Sequence, residues 1–311
     1  MVYVVADGAV APKNNFVLPF LLDGLELHGR LVRLGSAVDE IILAHDYPAP
    51  VAHLLAEALT LTAMLGSIFK YKGVLNLQIK GDGPVGLLVC DATDGGQLRG
   101  YAKFDRTCLP TFCNKKSNAA QLLGVGYLAF TVESGPEKER YQGIVELGGR
   151  TLEQCAHHYF RQSVQFEAVL KIGVSCDRDK TWRTGGIMLQ CLPRKESMAP
   201  NGKIDEAWKQ HRDLVQKIKP ITLYQSCISP FSVLFELFNG DNIRVYEAKN
   251  LCAKCSCSKE RVELVLAALP NEEIESLKVN GNIVVTCEFC NLQTIFRESD
   301  LTELRDTGRL E

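Results

Sequence analysis

The feature that most constrains this chain is a set of four cysteines near its C-terminus, arranged as two close pairs. The pairs are Cys255-x-Cys257 and Cys287-x-x-Cys290, with 29 residues between them. Such pairs, in a sequence without an export signal, are typical of a metal site. Four thiolates complete the tetrahedral coordination of Zn²⁺ and leave no position for water or substrate. The pattern therefore predicts a closed zinc site rather than a catalytic one.

A fifth cysteine leaves the choice of ligands open. Cys252-x-x-Cys255 could combine with Cys287-x-x-Cys290 as an ordinary zinc-ribbon quartet. The second cysteine of a ribbon knuckle is usually followed by glycine, whereas Ser256 follows Cys255, and this favours the Cys255-x-Cys257 pair. Zinc keeps its thiolates deprotonated, and deprotonated sulfur is the form that oxidants attack. A purely structural clip and a redox sensor are both compatible with the pattern.

Composition excludes several other classes of protein. The 311 residues carry a net charge of −2, which gives no overall electrostatic attraction to nucleic acid or to anionic membranes. The first residues lack the basic region of a signal peptide, so we expect a cytoplasmic protein. We expect the seven scattered cysteines to be small buried apolar residues: Cys90, Cys108, Cys113, Cys155, Cys176, Cys191 and Cys227.

Residues 1–193 have the pattern of a strand-rich α+β domain with one buried helix. Residues 51–70 are apolar at helical spacing, and His53 and Glu57 within them argue against a membrane span. Thr151 is a suitable N-cap for a second helix. Strands are predicted at residues 31–34, 40–43, 75–80, 85–90, 98–102, 126–132, 141–145, 168–175 and 185–191.

The rest of the chain divides into a linker and a small terminal domain. Residues 194–250 begin with a highly charged helical stretch and continue into an apolar helix at 230–238, which predicts a weakly held helical linker. Residues 251–311 predict a helix capped by Ser258, a second short helix and a hairpin that carries the second cysteine pair at its turn. A domain of this size buries little surface and needs the metal to fold.

Several sequence motifs occur together in one order. They are Gly81-Asp82-Gly83-Pro84, Leu98-Arg99-Gly100-Tyr101, Tyr141-Gln142-Gly143-Ile144-Val145, Gly185-Gly186-Ile187, Cys255-Ser256-Cys257-Ser258 and Cys287-Glu288-Phe289-Cys290. Through these motifs the chain resembles, nearly end to end, the bacterial family of redox-regulated heat-shock chaperonins of thirty-three kilodaltons. The resemblance implies an α+β N-terminal domain and an ATP-independent holdase, which is not an enzyme.

The resemblance also implies how the cysteines act. Zinc is expected on Cys255, Cys257, Cys287 and Cys290, and oxidation is expected to form the disulfides Cys255–Cys257 and Cys287–Cys290, release the zinc and unfold the terminal domain. The linker is then destabilised, and the protein dimerises and holds unfolded or oxidatively damaged clients. Two features depart from the family: the added Cys252, and the lack of an aromatic residue at positions 291–294.

Two other classes of function fit the sequence less well. A zinc-ribbon module that binds nucleic acid or another protein would be expected to show a basic face, yet five glutamates occur close to the cysteines in sequence: Glu260, Glu263, Glu272, Glu273 and Glu275. A zinc or thiol enzyme would need an open ligand position or a Cys/His pair with an orienting group, and no such spacing is recognisable.

Overall fold

A computed structural model describes residues 3–5, 13–68, 71–109, 118–133, 141–164, 166–191 and 202–297. The chain divides into two compact units, Met1–Ala253 and Lys254–Glu311, and each is described by itself. The sequence-based division at residues 193 and 250 stays a prediction. In the structure, the described part of the predicted linker lies within the first unit.

The described strands and helices are as follows. The strands are β1 (Tyr3–Val5), β2 (Phe16–Leu22), β3 (Leu27–Leu34), β4 (Val74–Gly81), β5 (Val85–Thr93), β6 (Gln97–Phe104), β7 (Gly126–Glu133), β8 (Tyr141–Glu146), β9 (Glu167–Cys176), β10 (Trp182–Cys191), β11 (Ile243–Val245), β12 (Lys249–Asn250), β13 (Cys252–Ala253), β14 (Asn282–Thr286) and β15 (Gln293–Arg297). The helices are α1 (Ser36–Leu43), α2 (Ala49–Gly66), α3 (Ala119–Leu123), α4 (Leu152–Tyr159), α5 (Gly202–Lys217), α6 (Pro220–Tyr224), α7 (Pro230–Leu237), α8 (Lys259–Ala267) and α9 (Asn271–Leu277).

Two sheets form the framework of the first unit. The first has the strand order β1-β11-β2-β3-β10-β9, with β12 also paired to β2, and the second has the order β13-β6-β5-β4-β7-β8. Most neighbours are antiparallel, whereas the β1–β11 and β13–β6 pairs are parallel. The mixed α+β class expected from the sequence is confirmed.

Helix α2 is the core element of this unit, because it packs against strands of both sheets. Its buried side chains lie all around the helix, which explains why its sequence is apolar with few interruptions. The helix is long and apolar enough to cross a membrane by length and composition, but 72% of its apolar window is buried inside the protein. The helix predicted at residues 51–70 is therefore confirmed as a core helix, although it ends at Gly66 and residues 67 and 68 form a turn.

The outer face of the first sheet is covered by helices α5, α6 and α7. Alternate residues of β2 and β3 face this side, and Phe16, Phe20 and Leu31 are 0–1% exposed there. The helices contribute Trp208, Leu223, Val233 and Leu234 to the same buried cluster, and Phe238, just after α7, also belongs to it. In the structure, then, the segment that we predicted as a linker packs on the sheet through a continuous apolar contact.

One predicted strand is wrong. Residues 40–43 belong to α1, which begins at Ser36, and not to a strand. Ala37, Val38, Ile41 and Ile42 are buried on one side of that helix, so the apolar run is half of a helical stripe that begins before residue 40. The other predicted strands of the first unit and the helix capped by Thr151 are confirmed.

The second unit is a small helix and hairpin module. Helices α8 and α9 pack against the β14–β15 hairpin around Leu266, Ile274, Ile283 and Phe296, which are at most 4% exposed. Ser258 caps α8 by accepting a hydrogen bond from the backbone N–H of Arg261, as its position predicted. Four fully buried side chains make a small core, so this unit has little stability without additional constraints.

Candidate metal centre

Two loops bring the four cysteines of the second unit together. Cys255 and Cys257 precede α8, and the Ser258 cap fixes the direction in which the chain enters that helix. Cys287 and Cys290 lie in the turn between β14 and β15, where the N–H of Cys287 donates to Leu292 and the N–H of Asn291 donates back to Cys287. A capped helix and a hairpin turn therefore hold the two pairs in place.

The ligand atoms form one compact group. All four sulfur atoms lie within 4.8 Å of one another. The Cys255 and Cys287 sulfurs are 3.7 Å apart, and the Cys257 and Cys290 sulfurs are 3.4 Å apart. The two predicted pairs thus converge on one point, and the group could hold a metal ion.

The local field favours the thiolate of Cys287 over those of Cys257 and Cys290. Burial tends to raise the pKa of Cys287, but the backbone N–H groups of Cys290 and Phe289 and the neighbouring thiols bring it below its ordinary value. Burial and the adjacent thiols raise the pKa of Cys257, and burial raises that of Cys290. Thiols that crowd one point cannot all ionise without a cation, so the site has the electrostatics of a metal-binding group.

A charged side chain supports the first loop. The guanidinium of Arg261 donates to the carbonyl oxygen of Ser256, the residue between Cys255 and Cys257, at 3.1 Å. This contact ties the loop to the first turn of α8. The sequence carries no signal for this role of Arg261, because nothing in its spacing indicates where the side chain reaches.

The fifth thiol lies outside the sulfur group. Cys252 belongs to the first unit, where β13 pairs with β6 and the N–H of Cys252 donates to the carbonyl of Gly96 at 3.0 Å. Among the described residues, the cluster that could hold a metal consists of the other four C-terminal cysteines.

The burial of the scattered cysteines was predicted only in part. Cys90 and Cys155 are buried as expected, and Cys191 is half-buried. The prediction is wrong for Cys108, Cys176 and Cys227, which are exposed because they lie at strand ends or in loops. Cys113 lies outside the described residues.

Comparison with known proteins decides the family. A family model described as "Hsp33 protein" matches residues 15–297, which is most of the chain. The chain belongs to the Hsp33 family. The redox-regulated chaperonin family named in the sequence analysis is therefore confirmed.

Hsp33 relatives match over nearly the whole length. A 33 kDa chaperonin of Caulobacter vibrioides is 37% identical over 284 residues, which cover 89% of this chain and 93% of the relative. A 33 kDa chaperonin of Escherichia coli is 32% identical over 298 residues, covering 96% of this chain and 97% of the relative. These names support a chaperone function for this Hsp33 chain.

A solved Hsp33 structure has the same fold. The 33 kDa chaperonin of Thermotoga maritima superimposes with a TM-score of 0.80 over 96% of this chain and all of that one, at 22% identity. The likeness supports the arrangement of sheets and helices described above.

Proposed function

We propose that this chain is a redox-regulated, ATP-independent holdase that binds unfolding proteins and prevents their aggregation. The reduced form, with zinc on Cys255, Cys257, Cys287 and Cys290, is the resting state. Oxidation forms the disulfides Cys255–Cys257 and Cys287–Cys290, releases the zinc and activates the protein. The proposal includes a cytoplasmic location, a homodimer after activation, and no role for nucleic acid or membrane.

One observation carries this proposal: the convergence of four cysteine sulfurs on one point. A Zn–S bond of about 2.3 Å in a tetrahedron places neighbouring sulfurs about 3.8 Å apart. The separations of 3.7 Å and 3.4 Å between cysteines of different pairs lie close to that value. An all-sulfur donor set also suits zinc better than magnesium or calcium, which prefer oxygen ligands. When bound, zinc supplies folding free energy to the module and keeps the thiols deprotonated.

The oxidation step is balanced within each pair. Two cysteine sulfurs give up two electrons to one peroxide molecule and form one S–S bond, while the O–O bond of the peroxide breaks to give two molecules of water. Two of the four protons in these waters are already on the peroxide, and the other two come from the thiols, or from solvent where the sulfurs were metal-bound thiolates. Once both pairs are oxidised, no thiolate is left to hold a cation, so the module loses the constraint that its four-residue core cannot replace.

Release of the helices α5–α7 would create the holding surface. The outer face of the first sheet carries buried aromatic and aliphatic side chains, among them Phe16, Phe20 and Leu31. Once exposed, such a surface binds the apolar segments of unfolding proteins and also favours self-association. This supports binding of unfolded clients and a dimer in the active state.

The proposal is tested with a thermally unfolding client enzyme whose aggregation is followed by light scattering. Suppression is expected after treatment with peroxide and is expected to be absent from the reduced, zinc-loaded protein. The matched control is Cys108→Ser, which removes an exposed thiol of the first unit and leaves the response unchanged. Equal suppression before and after peroxide, or none in either state, would contradict the proposed regulation. Binding of nucleic acid by the zinc-loaded form would favour the zinc-ribbon alternative.

A further inference from the structure

A buried arginine joins the first sheet to the segment that covers it. Arg33 lies on β3 and is 0% exposed. Its Nε donates to the carbonyl oxygen of Leu223 at 3.0 Å, and its Nη1 donates to the carbonyl oxygen of Ile228 at 2.8 Å. These carbonyls lie at the end of α6 and in the loop before α7. One side chain of the sheet therefore holds the main chain of the covering segment at two points.

Two glycines beside Arg33 let that main chain lie directly on the sheet. A Cβ added at Gly185, the partner of Arg33 on β10, would overlap the carbonyl group of Leu223. A Cβ added at Gly173 on β9 would overlap the carbonyl of Pro220. The two glycines and Arg33 together form a main-chain cradle for the covering segment. It contacts the backbone of α6 whatever side chains α6 carries.

The contact around the cradle contains polar atoms that lack partners. Among the described residues, four buried side-chain polar atoms make no hydrogen bond, and two of them belong to residues of this contact: Nη2 of Arg33 and Nε1 of Trp208 on α5. An unpaired buried polar group lowers the stability of the contact that buries it. The unpaired atoms offset part of the stability that α5–α7 gain from apolar packing. Docking of these helices therefore depends more strongly on the hydrogen bonds of Arg33.

Resting on the function proposed above, we propose that Arg33, with Gly185 and Gly173 beside it on the next two strands, is the latch that keeps α6 and α7 on the sheet in the resting state. Arg33 is a positioning residue, because it acts on the covering segment and not on the client. A buried guanidinium is stable only while its acceptors are in place, so loss of one carbonyl favours loss of the other. Burial also lowers the pKa of Arg33, which is consistent with a charge held out of water. The latch therefore opens as a unit.

The test measures hydrogen exchange by mass spectrometry in the reduced full-length protein reconstituted with Zn²⁺. Arg33→Lys keeps the charge and removes the planar fork that reaches both carbonyls. Its control is Arg30→Lys, the same change on the same strand, where the side chain donates to Ser67 after α2 instead. Gly185→Ala pushes the α6 backbone away without altering Arg33, and its control Gly186→Ala directs the added methyl at Met64 and Thr60 of α2.

Amides of residues 220–237 are expected to exchange about tenfold faster in Arg33→Lys and Gly185→Ala than in their controls, with zinc content unchanged. If all four variants match the wild type in this segment, the latch is refuted. If Arg33→Lys loses its zinc or its near-UV circular dichroism signal, the comparison of Gly185→Ala with Gly186→Ala decides whether the latch exists. Faster exchange together with client holding in the absence of peroxide supports both proposals. Faster exchange without holding in the absence of peroxide supports the latch, and the proposed function is then judged separately by the peroxide assay described above, in which equal suppression before and after peroxide would contradict it.

Discussion

The sulfur atoms of Cys257 and Cys290 lie 3.4 Å apart although 33 positions separate the residues in sequence. The same holds for Cys255 and Cys287, at 3.7 Å and a separation of 32 positions. Disulfides between the two pairs would therefore be geometrically accessible after small rotations. They would have the opposite effect from disulfides within the pairs, because a bond that closes a loop of this size stabilises the folded module by about 3–4 kcal/mol.

The pairing of the cysteines is the first prediction. Peptide mapping after peroxide treatment is expected to find Cys255–Cys257 and Cys287–Cys290. The proposed switch requires this pairing, because disulfides between near neighbours leave the module free to unfold. Cys252→Ser is expected to give the same map. A map dominated by Cys255–Cys287, or by Cys252–Cys255, would contradict the proposed switch.

The second prediction concerns loss of the metal. Cys290→Ser removes one ligand, so the reduced protein is expected to bind zinc much more weakly and to lose exchange protection in α8 and the β14–β15 hairpin. The reason is that only Leu266, Ile274, Ile283 and Phe296 are deeply buried in that unit's core cluster. Zinc content and hydrogen exchange measure the two effects. Retained protection in α8 without bound metal would show that the module folds on its own core.

A buried hydroxyl pair gives the third prediction. Thr60 Oγ1 of α2 and Thr184 Oγ1 of β10 are 2.7 Å apart, and both are 0% exposed. Thr184→Val is expected to lower the free energy of unfolding by about 1–2 kcal/mol, because it removes the contacts of this hydroxyl with Thr60 Oγ1 and with the carbonyl oxygen of Gly173. The double variant Thr60→Val/Thr184→Val is expected to lose less free energy of unfolding than the sum of the two single variants. Urea unfolding followed by tryptophan fluorescence measures this, since both tryptophans, Trp182 and Trp208, lie in the first unit.

The fourth prediction concerns pH. Burial raises the pKa of Glu57 on α2 to about 7, with a smaller contribution from the Glu153 carboxylate, while Lys171 opposes the shift. A carboxyl group whose pKa is higher in the folded state stabilises the fold below its unfolded pKa and loses that contribution as pH rises through about 7. Glu57→Gln is expected to abolish this dependence and to raise stability at pH 8 by about 2 kcal/mol. Urea midpoints from pH 5 to 8 test it, and parallel curves for the two proteins would contradict it.

Much of the fold could be predicted from local sequence. The apolar residues of α2, the alternating strand β4 and the caps Thr151 and Ser258 are set by neighbours within a few positions, so their patterns are visible in the chain. Residues 40–43 show the limit of this approach. The three apolar residues Ile41 to Leu43 fit a strand or part of a helical stripe equally well, and the packing of α1 decided between them.

The sequence by itself determined the family and the α+β class, and it limited the metal site to five C-terminal cysteines, because the spacing of cysteine pairs indicates the ligands that a metal would use. Only the tertiary structure placed Arg33 against the carbonyl of Leu223, 190 positions away, and left Cys252 outside the sulfur cluster. It also decided which scattered cysteines are exposed. The physical reason is that a side chain's burial and its partners depend on which distant segments pack against it, and local periodicity carries no record of that packing.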